Sequence, residues 1–396
     1  MKTSDSFYLV MNAGSSSLKY ALFTKELERA FKGHVDGIGL ERCVHKCEKE
    51  CDEKLEEEFK ADDHVHAVLK AMHSLKEHGV LEDFSQIVKV GHRVVHGAEK
   101  FTEPTVINDQ VLEKLKSLSV LAPLHNPPAI AGILAVKKLL PETEQVAVFD
   151  TSFHHTIPKE AFLYGIPYEL YEQHGIRKYG FHGISHEYVS RKAIEALGHR
   201  FKDESEVVTC HLGNGSSITA VKDGRSIDTS MGFTPLDGLI MGTRSGELDP
   251  EIILHLMRQE GYTTNQIEEL LHKESGLKGL TGDSDVRELW ARAQDKDERA
   301  NLALDMLSYR IAKYIGSYAA ALHGVDAVVF TGGIGENAYY IRRRACAYLK
   351  HLGVELDSHA NRKNETFIQG DKSRVKVLVL ETDEERAIAE KLSETA

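Results

Sequence analysis

Two short segments rich in small polar residues are the first places in the sequence where chemistry could occur. They are NAGSSSLK at 12–19 and HLGNGSS at 211–217. Glycines let a backbone approach a ligand closely, and successive N–H groups can form a nest for an anion. Lys19 and the hydroxyls add donors. Neither segment is a Walker loop, because the sequence contains no Gly-Lys dipeptide. Taken singly, each also fits an ordinary hairpin turn.

A third glycine segment, FTGGIGEN at 330–337, follows the apolar run DAVVF and precedes the helical pattern AYYIRRRACAYL. A strand, a glycine turn and a helix N-terminus in this order favour phosphate or nucleotide binding. The spacing is not GxGxxG, so a dinucleotide site is not indicated. A tight structural turn is the alternative.

Four further segments set a charged or imidazole side chain among glycines. Arg93 lies in GHRVVHG, Asp150 in FDTSFHH, His182 in YGFHGISH, and Arg244 ends the loop MGFTPLDGLIMGTRSG. Such loops form cores poorly and often serve a ligand. Each residue also has a structural alternative, as a salt-bridge partner, a core histidine or a turn residue. The pairs His92/His96 and His182/His186 could suggest a metal, but no HExxH motif occurs, which disfavours zinc.

Three of the five cysteines, Cys43, Cys47 and Cys51, recur every four residues with His45 between them. This spacing would place them on one face of a helix, but the C-x₂-C spacing of zinc modules is absent. We interpret the segment as a solvated, charged hairpin or short helix. The odd cysteine count and the polar N-terminus, which does not fit a signal peptide, predict reduced thiols in a cytoplasmic protein.

The composition sets the class of protein around these residues. A chain of 396 residues predicts two domains or three, and 41% hydrophobic with 28% charged residues is typical of a globular protein. The net charge of −12 disfavours nucleic acid and anionic membranes as partners. No apolar run reaches 18 residues, so no transmembrane helix is predicted.

Apolar runs and helical patterns alternate along the chain, which predicts an α/β architecture. Asn108 is a predicted N-cap. The stretch from about 285 to 322 reads as mostly helical, and Thr382 with Glu385 has capping-box spacing before the last helix. The predicted strands are 7–11, 86–90, 145–149, 206–210, 326–330 and 375–380, and the apolar side of the long helix carries Leu302, Met306, Ile311 and Ile315.

Each half of the chain contains a copy of one short sequence pattern. LVMNAGSSSLKYALF near the start resembles VVTCHLGNGSSITAV about two hundred residues later, each a strand, a polar turn and a strand. Matched turns suggest two domains built on one plan. Chance similarity of two Gly-Ser turns is the alternative.

Together these segments resemble the acetate kinase family nearly from end to end. The motifs, in order, are NAGSSSLKY, GHRVVHG, FDTSFHHTIP, YGFHGISHEYV, HLGNGSSI, DTSMGFTPLDGLIMGTRSGELDP, GDSDVREL, FTGGIGENA and ETDEER. The resemblance implies the fold of the sugar kinase, actin and chaperone ATPase superfamily: α/β, with two ribonuclease-H-like domains of a duplicated plan and an interdomain nucleotide cleft. It implies an N-terminal domain of 1–150 plus 381–396 on the acyl and metal side. The nucleotide-binding domain would be 151–380.

The resemblance also implies a role for each matching residue. The activity would be reversible, direct in-line transfer of the ATP γ-phosphoryl group to acetate, giving acetyl phosphate and ADP, in a homodimer that uses Mg²⁺ or Mn²⁺. The implied catalytic residues are Arg93, Asp150, His182 and Arg244; the substrate pocket is Arg93, Val95, Leu124, Phe181 and Pro235; the metal positions are Asn12 and Glu384; and the nucleotide residues are Lys19, His211, Leu212, Gly213, Asn214, Gly215, Asp285, Val286, Arg287, Gly333, Ile334, Gly335, Glu336 and Asn337.

Phosphoryl transfer asks a protein mainly for alignment and for charge on the transferred oxygens, which two arginines, a histidine and a metal ion supply. A carboxylate acceptor is already ionised, so we expect Asp150 to position Arg93 or the metal rather than to abstract a proton. Three alternatives stay open. They are a propionate kinase of the same mechanism, an ATP-driven conformational module without catalysis, and a zinc- or redox-responsive protein using the cysteines at 43–51.

Overall fold

The computed structural model describes residues 6–49, 54–198 and 204–395. The strands are β1 (Phe7–Ala13), β2 (Ser17–Thr24), β3 (Arg29–Asp36), β4 (Cys43–Lys49), β5 (Lys54–Phe59), β6 (Ile87–Val94), β7 (Thr105–Val106), β8 (Glu144–Phe149), β9 (Glu206–Leu212), β10 (Ser216–Lys222), β11 (Arg225–Thr229), β12 (Ala327–Thr331) and β13 (Lys376–Val379). The helices are α1 (His64–Glu77), α2 (Asp109–Ser117), α3 (Asn126–Leu139), α4 (Lys159–Phe162), α5 (Tyr168–His174), α6 (Gly183–Ala196), α7 (Pro250–Gln259), α8 (Thr264–Lys273), α9 (Gly276–Thr281), α10 (Val286–Gln294), α11 (Glu298–Leu322), α12 (Gly332–Asn337), α13 (Tyr339–Ala347), α14 (Ser358–Arg362) and α15 (Glu384–Glu394). Within these ranges, no helix has the length and apolar character that crossing a membrane requires.

The chain divides into two compact units, each with its own sheet. The first unit is Met1–Ser152 with Asp383–Ala396, and the second is Phe153–Thr382. The first sheet has the order β5-β4-β3-β2-β1-β6-β8-β7, and the second has the order β11-β10-β9-β12-β13.

The two sheets share one five-strand plan. In the first, β3, β2 and β1 pair antiparallel, and β6 and β8 continue parallel to β1. In the second, β11, β10 and β9 pair antiparallel, and β12 and β13 continue parallel to β9. The repeated segment seen in the sequence therefore corresponds to a repeated structure, since the polar turns join β1 to β2 and β9 to β10. The predicted α/β fold of two ribonuclease-H-like domains is confirmed.

All six predicted strands are present, because each apolar run is long enough for one buried strand. In the first unit, Leu9 and Met11 of β1 pack in one core with α1 and α3. Helix α15 packs against β6, where a Cβ at Gly91 would come within 2.6 Å of Ile388. The predicted N-cap Asn108 accepts a hydrogen bond from the backbone N–H of Val111 at 2.9 Å.

In the second unit, α11 packs against β9 and β10, and α6 packs against β9 and β12. The predicted apolar side of α11 is correct at Ile311 and Ile315, which are fully buried, and wrong at Leu302, which is 56% exposed. The buried stripe instead runs through Ala303, Leu304 and Leu307. At its start, the helix is therefore shifted by about one residue from the predicted face.

The cysteine segment is a strand and not a helix. Cys43 and Cys47 lie in β4, whose antiparallel partner is β5, so the hairpin alternative is correct. The interpretation of this segment as solvated holds for the face of the hairpin that carries Lys46, which is exposed. It is wrong for the other face, because Cys43, His45 and Cys47 alternate along the strand and are all buried. Cys51 lies outside the described residues.

The last helix begins one residue later than the predicted capping box. Asp383 is its N-cap, and its carboxylate accepts a hydrogen bond from the backbone N–H of Arg386 at 2.9 Å. The hydroxyl of Thr382 instead bonds to Ser185 at 2.7 Å. An Asp next to a Thr competes for the same capping role, and here the Asp takes it.

Candidate active site

The first unit gathers its predicted site residues at one edge of its sheet. Because β1, β6 and β8 are parallel, their carboxyl ends meet there. Asn12 lies near the end of β1, Arg93 near the end of β6, and Asp150 directly after β8. Helix α15, which contacts all three strands, begins with Glu384. Four residues that are far apart in sequence are thereby brought together.

Arg93 is held between two carboxylates. Its Nε donates to Asp150 Oδ1 at 2.8 Å and its Nη2 donates to Asp150 Oδ2 at 2.7 Å. Its remaining nitrogen, Nη1, lies 3.0 Å from Glu384 Oε2. A planar guanidinium bonded by two parallel hydrogen bonds has a fixed orientation. Asp150 therefore positions Arg93 in this structure.

The charges of this cluster do not cancel. Burial alone would lower the pKa of Arg93, but the charges of Asp150 and Glu384 outweigh it and raise that pKa above its ordinary value. Burial raises the pKa of Glu384, and the nearby Asp150 adds to this effect, while Arg93 opposes it. Two carboxylates sharing one guanidinium leave a net negative charge at this edge.

The donor set at this edge fits a hard cation such as Mg²⁺. Mg²⁺ prefers oxygen ligands and usually takes one or two from protein, with the rest from phosphates and water. Glu384 supplies a carboxylate and Asn12 an amide oxygen, and the net negative charge favours a cation. Across residues 6–49, 54–198 and 204–395, no group of three or more His, Cys, Asp or Glu side chains is placed to hold a metal by itself.

The residues expected to form the acyl pocket divide between the two units. Val95 is half-buried in the first unit and lies just beyond β6, which ends at Val94. Leu124, in the same unit, is 48% exposed. In the second unit, Phe181 is buried and Pro235 is half-buried.

His182 stands at the start of α6 in an unusual backbone conformation. It is the N-cap residue, with a φ of 56° in the left-handed region. That conformation costs a residue with a Cβ about 1–2 kcal/mol and often marks a functional position. The His182 Nδ1 lies 2.9 Å from Ser217 Oγ, and its ring stacks on that of His211 at 4.3 Å between centroids.

The side chains of His182 and Arg244 both lie beside Gly215. A Cβ at Gly215 would lie 3.4 Å from the Nε2 of His182 and 3.7 Å from the Nη1 of Arg244. The long loop packs closely on this turn, since a Cβ at Gly242 would come within 2.6 Å of Asn214 Oδ1. The turn that follows β9 and the loop that ends in Arg244 therefore form one local structure.

The charge of Arg244 is not neutralised by a carboxylate among its contacts in the described residues. Its Nη1 donates to the carbonyl of Pro235 at 3.2 Å and lies 3.9 Å from Met241 Sδ. Burial lowers the pKa of Arg244 from its ordinary value, although an arginine remains charged. A half-buried guanidinium without an anionic partner is suited to receive an anion.

The predicted nucleotide segments meet at a cavity of the second unit. Its volume is about 660 Å³, within the range usual for small-molecule sites. Its lining residues come from the turn after β9, the start of α10, and the segment that follows β12: Gly213, Asn214, Ser284, Asp285, Val286, Arg287, Trp290, Gly333, Ile334, Asn337, Ala338 and Tyr340.

Other predicted nucleotide residues do not line this cavity. Leu212 and Gly335 are buried, and His211 bonds to Ser185 at 2.8 Å. Glu336 accepts hydrogen bonds from the backbone N–H groups of Gly332 and Thr382, at 2.9 and 3.2 Å, which closes the glycine turn. Gly215 lies beside His182, and Lys19 lies in the first unit, opposite Asn12 in the β1–β2 ladder.

Sequence reasoning missed the aromatic part of the cavity wall. The rings of Trp290 and Tyr340 are parallel, with centroids 4.3 Å apart. The signal was weak, because the two residues are 50 positions apart and each also fits a helix core. Asp285 was predicted, but not its ion pair with Arg287, which lowers the pKa of Asp285 to about 2, chiefly through the side-chain hydrogen bond.

Two ribonuclease-H-like units, with charged and glycine-rich segments at the carboxyl ends of their parallel strands, define the fold of the sugar kinase, actin and chaperone ATPase superfamily. The chain belongs to the acetokinase family, whose sequence model matches residues 7–390. ATP is the co-substrate of that family.

Individual relatives agree with this assignment. The acetate kinase of Carboxydothermus hydrogenoformans is 49% identical over 391 residues, covering 98% of each chain. The crystal structure of Porphyromonas gingivalis acetate kinase matches with a TM-score of 0.91 at 43% identity, covering 97% of this chain and 98% of that one. A propionate kinase from Francisella tularensis matches with a TM-score of 0.93, also at 43% identity, covering 98% of each chain.

Proposed function

We propose that the protein transfers the γ-phosphoryl group of ATP to acetate, reversibly, forming acetyl phosphate and ADP. An acetate oxygen attacks the γ-phosphorus, a new P–O bond forms, and the bond to the β-phosphate oxygen breaks. The observation that carries this proposal is the guanidinium of Arg244, which has no carboxylate partner among its contacts in the described residues and lies beside Gly215, as the imidazole of His182 does. Such a cationic pair suits the charge on a transferring phosphoryl group.

The first unit is proposed to supply the acyl side of the reaction. Two nitrogens of Arg93 donate hydrogen bonds to Asp150, and the third, Nη1, forms an ion pair with Glu384. A substrate carboxylate can share that nitrogen without disturbing the pair with Asp150. Asp150 is then a positioning group, and no general base is needed because acetate is already ionised. We propose Val95 and Leu124 as the apolar side chains that the first unit offers to the acyl methyl group, and Phe181 and Pro235 as those that the second unit offers.

The second unit is proposed to supply the nucleotide side. The cavity lined by Gly213, Asn214, Asp285 and Gly333 is large enough for a nucleoside, and Trp290 and Tyr340 offer it an aromatic wall. The segments 211–215, 285–287 and 333–337, together with Lys19, form the proposed nucleotide set. Those members of the second unit that do not line the cavity, such as Glu336, would act by shaping its turns. Lys19 would offer its cationic amine from β2 of the first unit.

Mg²⁺, or Mn²⁺ in its place, would be held by Asn12 and Glu384. A bound divalent ion would neutralise phosphate charge as it develops. The remaining groups of this edge act without it, since Asp150 orients Arg93 and Arg93 receives the carboxylate.

We further propose that the protein is a cytoplasmic homodimer. Helix α7 supports the dimer, because Ile252, Leu254 and Met257 are exposed apolar residues along it and none of the helix is buried. The cytoplasmic assignment is supported by Cys43, Cys47, Cys210 and Cys346, which are all free thiols. Light scattering on the purified protein tests the dimer, and a monomer would contradict it.

Trapping with hydroxylamine tests the activity. The purified protein is incubated with ATP, Mg²⁺ and acetate, propionate or butyrate, and the acyl hydroxamate is measured. We expect the highest kcat/KM with acetate. A higher kcat/KM with propionate would favour the propionate kinase alternative. The similarity to the Francisella tularensis propionate kinase is the reason to include propionate. No acyl phosphate from any of the three acids would contradict the proposal.

A further inference from the structure

A line of buried polar groups stands behind the imidazole of His182, and we call it the His182 chain. Ser217 Oγ lies 2.9 Å from His182 Nδ1 and 2.7 Å from His186 Nε2. The other nitrogen of His186, Nδ1, lies 2.7 Å from Thr209 Oγ1. The hydroxyl of Thr209 in turn donates to the backbone carbonyl of Thr219 at 3.5 Å.

Regular secondary structure places every member of this chain. His182 and His186 are four residues apart at the start of α6, where the His186 N–H donates to the His182 carbonyl at 2.9 Å. Both imidazoles therefore project from one side of the helix. Ser217 and Thr219 alternate onto one face of β10, and Thr209 lies directly opposite Thr219 on β9. All of these side chains except that of His182 are completely buried.

The hydrogen bonds of the His182 chain run in one direction, because each of its members has few hydrogens to donate. Burial holds the pKa of His186 well below its ordinary value, so His186 is neutral and carries one N–H. Ser217 has a single hydrogen to share between two imidazoles. The carbonyl of Thr219 can only accept. If Thr209 donates its hydroxyl hydrogen to that carbonyl, it must accept a hydrogen bond from the N–H at Nδ1 of His186. Nε2 of His186 then has no hydrogen and accepts from the hydroxyl of Ser217. Ser217 in turn accepts from Nδ1 of His182.

We propose that this chain keeps a hydrogen on Nδ1 of His182, so that Nε2 can donate to a phosphoryl oxygen only when His182 is an imidazolium. Ser217, His186 and Thr209 are then positioning residues that act through His182. That a phosphoryl oxygen accepts a hydrogen bond from Nε2 of His182 rests on the proposed function. The placement of the hydrogen on Nδ1 of His182 does not, because it follows from the contacts of the second unit alone.

The protonation state of His182 determines what its Nε2 offers to a phosphoryl group. The ring of His211 stacks on that of His182, and Nη1 of Arg244 lies beside Gly215, as Nε2 of His182 does. The ring of His154 lies 5.8 Å from that of His186. A neutral His182 with its hydrogen on Nδ1 would present a lone pair at Nε2, which would repel the oxygens of a phosphoryl group. A protonated His182 would present an N–H and a positive charge.

The sharpest test changes Thr209, which is two hydrogen bonds away from His182 along the chain. In the wild type, we expect kcat to fall about tenfold per pH unit once His182 loses its proton. Thr209→Val removes the group that receives the His186 Nδ1 hydrogen, so that hydrogen moves to Nε2 and the chain reverses. Neutral His182 then carries its hydrogen on Nε2 and remains a donor. For this variant we expect kcat to level off at high pH, within about threefold of its maximum. Thr209→Ser keeps the hydroxyl and should retain the wild-type profile.

A second pair of variants guards against a simple folding defect. Ser217→Ala also frees Nδ1 of His182 and should give the same plateau at high pH. Ser226→Ala is its matched control, because Ser226 is an equally buried serine whose hydroxyl lies 2.8 Å from Nδ1 of a different histidine, His154. That control should keep the wild-type slope. Thermal unfolding of each variant shows whether it is folded over the pH range used.

A measurement without substrates separates this inference from the proposed function. Long-range ¹H–¹⁵N correlation of histidine-labelled protein distinguishes Nδ1–H from Nε2–H in neutral rings. We expect neutral His182 to carry Nδ1–H in the wild type and in Thr209→Ser, and Nε2–H in Thr209→Val. An Nε2–H form in the wild type, or wild-type pH slopes in both Thr209→Val and Ser217→Ala, would overturn the inference. Loss of acyl phosphate formation in the wild type would instead overturn the proposed function.

Discussion

The rings of Trp290 and Tyr340 lie parallel, with 4.3 Å between their centroids and 4° between their planes, at the wall of the proposed nucleotide cavity. The hydroxyl of Tyr340 donates to the carbonyl of Val286 at 3.1 Å, which fixes that ring at the start of α10. Trp290 is half-buried, so its outer surface remains accessible.

Trp290 should therefore report nucleotide binding. It is the single tryptophan of the chain, so intrinsic fluorescence excited at the indole comes from this site alone. We expect ADP to change the emission in a saturable way, because a ligand in the cavity alters the surroundings of the indole. Acetate alone should leave the emission unchanged. A titration in which ADP binds by calorimetry without any change in emission would place the nucleotide elsewhere.

Arg244→Ala should lower kcat far more than it weakens nucleotide binding. With no carboxylate partner among its contacts in the described residues, Arg244 is available for charge that develops in the transition state. Loss of such an interaction typically costs about 3 kcal/mol, or about a hundredfold in rate. Arg299→Ala, at an exposed arginine of α11, is the control and should behave as the wild type. If ATP affinity collapsed while kcat held within a few-fold, Arg244 would be a binding residue instead.

Val95→Ala should shift the preference between acetate and propionate. Removing two methyl groups from an acyl pocket costs acetate apolar contact, on the order of 1 kcal/mol, and gives propionate room. We expect the KM for acetate to rise and that for propionate to fall. Val94→Ala is the control, because Val94 is fully buried in the core of the first unit. That variant should lose stability and keep the substrate ratio. An unchanged ratio in Val95→Ala would remove Val95 from the pocket.

Acid should destabilise the protein partly through His45. Burial lowers the pKa of His45 to about 4, and its Nε2 lies 2.8 Å from the hydroxyl of Tyr20. In the unfolded chain, a histidine takes up its proton at about pH 6.5, so between the two values the unfolded state binds more protons. The stability from neutral His45 is complete above about pH 6.5 and is lost as the pH falls toward about 4.

His45→Gln keeps a polar group near Tyr20 and removes the titration. Urea unfolding followed by circular dichroism should show a shallower loss of stability over this pH window than in the wild type. His73→Gln, at an exposed histidine of α1, is the control and should keep the wild-type slope. A wild-type slope in His45→Gln would contradict the assignment.

The sequence predicted elements well where a local pattern decides the structure. The six apolar runs became strands, and Asn108 caps its helix as expected, because burial and capping act over a few residues. Cys43 and Cys47 were left open between a hairpin and a short helix, since a spacing of four fits both a helix turn and two alternations of a strand, and their burial was not predicted. Pairing with β5 and burial against the core decided between them.

The candidate site was predictable only as far as its motifs. The sequence analysis expected Asp150 to position Arg93 or the metal, but the two hydrogen bonds that orient Arg93 depend on where parallel strands end. The stack of Trp290 on Tyr340 and the His182 chain join positions far apart in sequence, and neither has a local signature. Such contacts follow from the tertiary fold and could not be read from spacing.

The central claim is direct in-line transfer of a phosphoryl group from ATP to acetate, and stereochemistry at phosphorus tests it most directly. ATP made chiral at the γ-phosphorus with three oxygen isotopes is turned over with acetate, and the configuration of the acetyl phosphate is determined. A single in-line displacement predicts inversion. Retention would mean two displacements through a phosphorylated side chain, and would contradict the proposed roles of Arg93, His182 and Arg244.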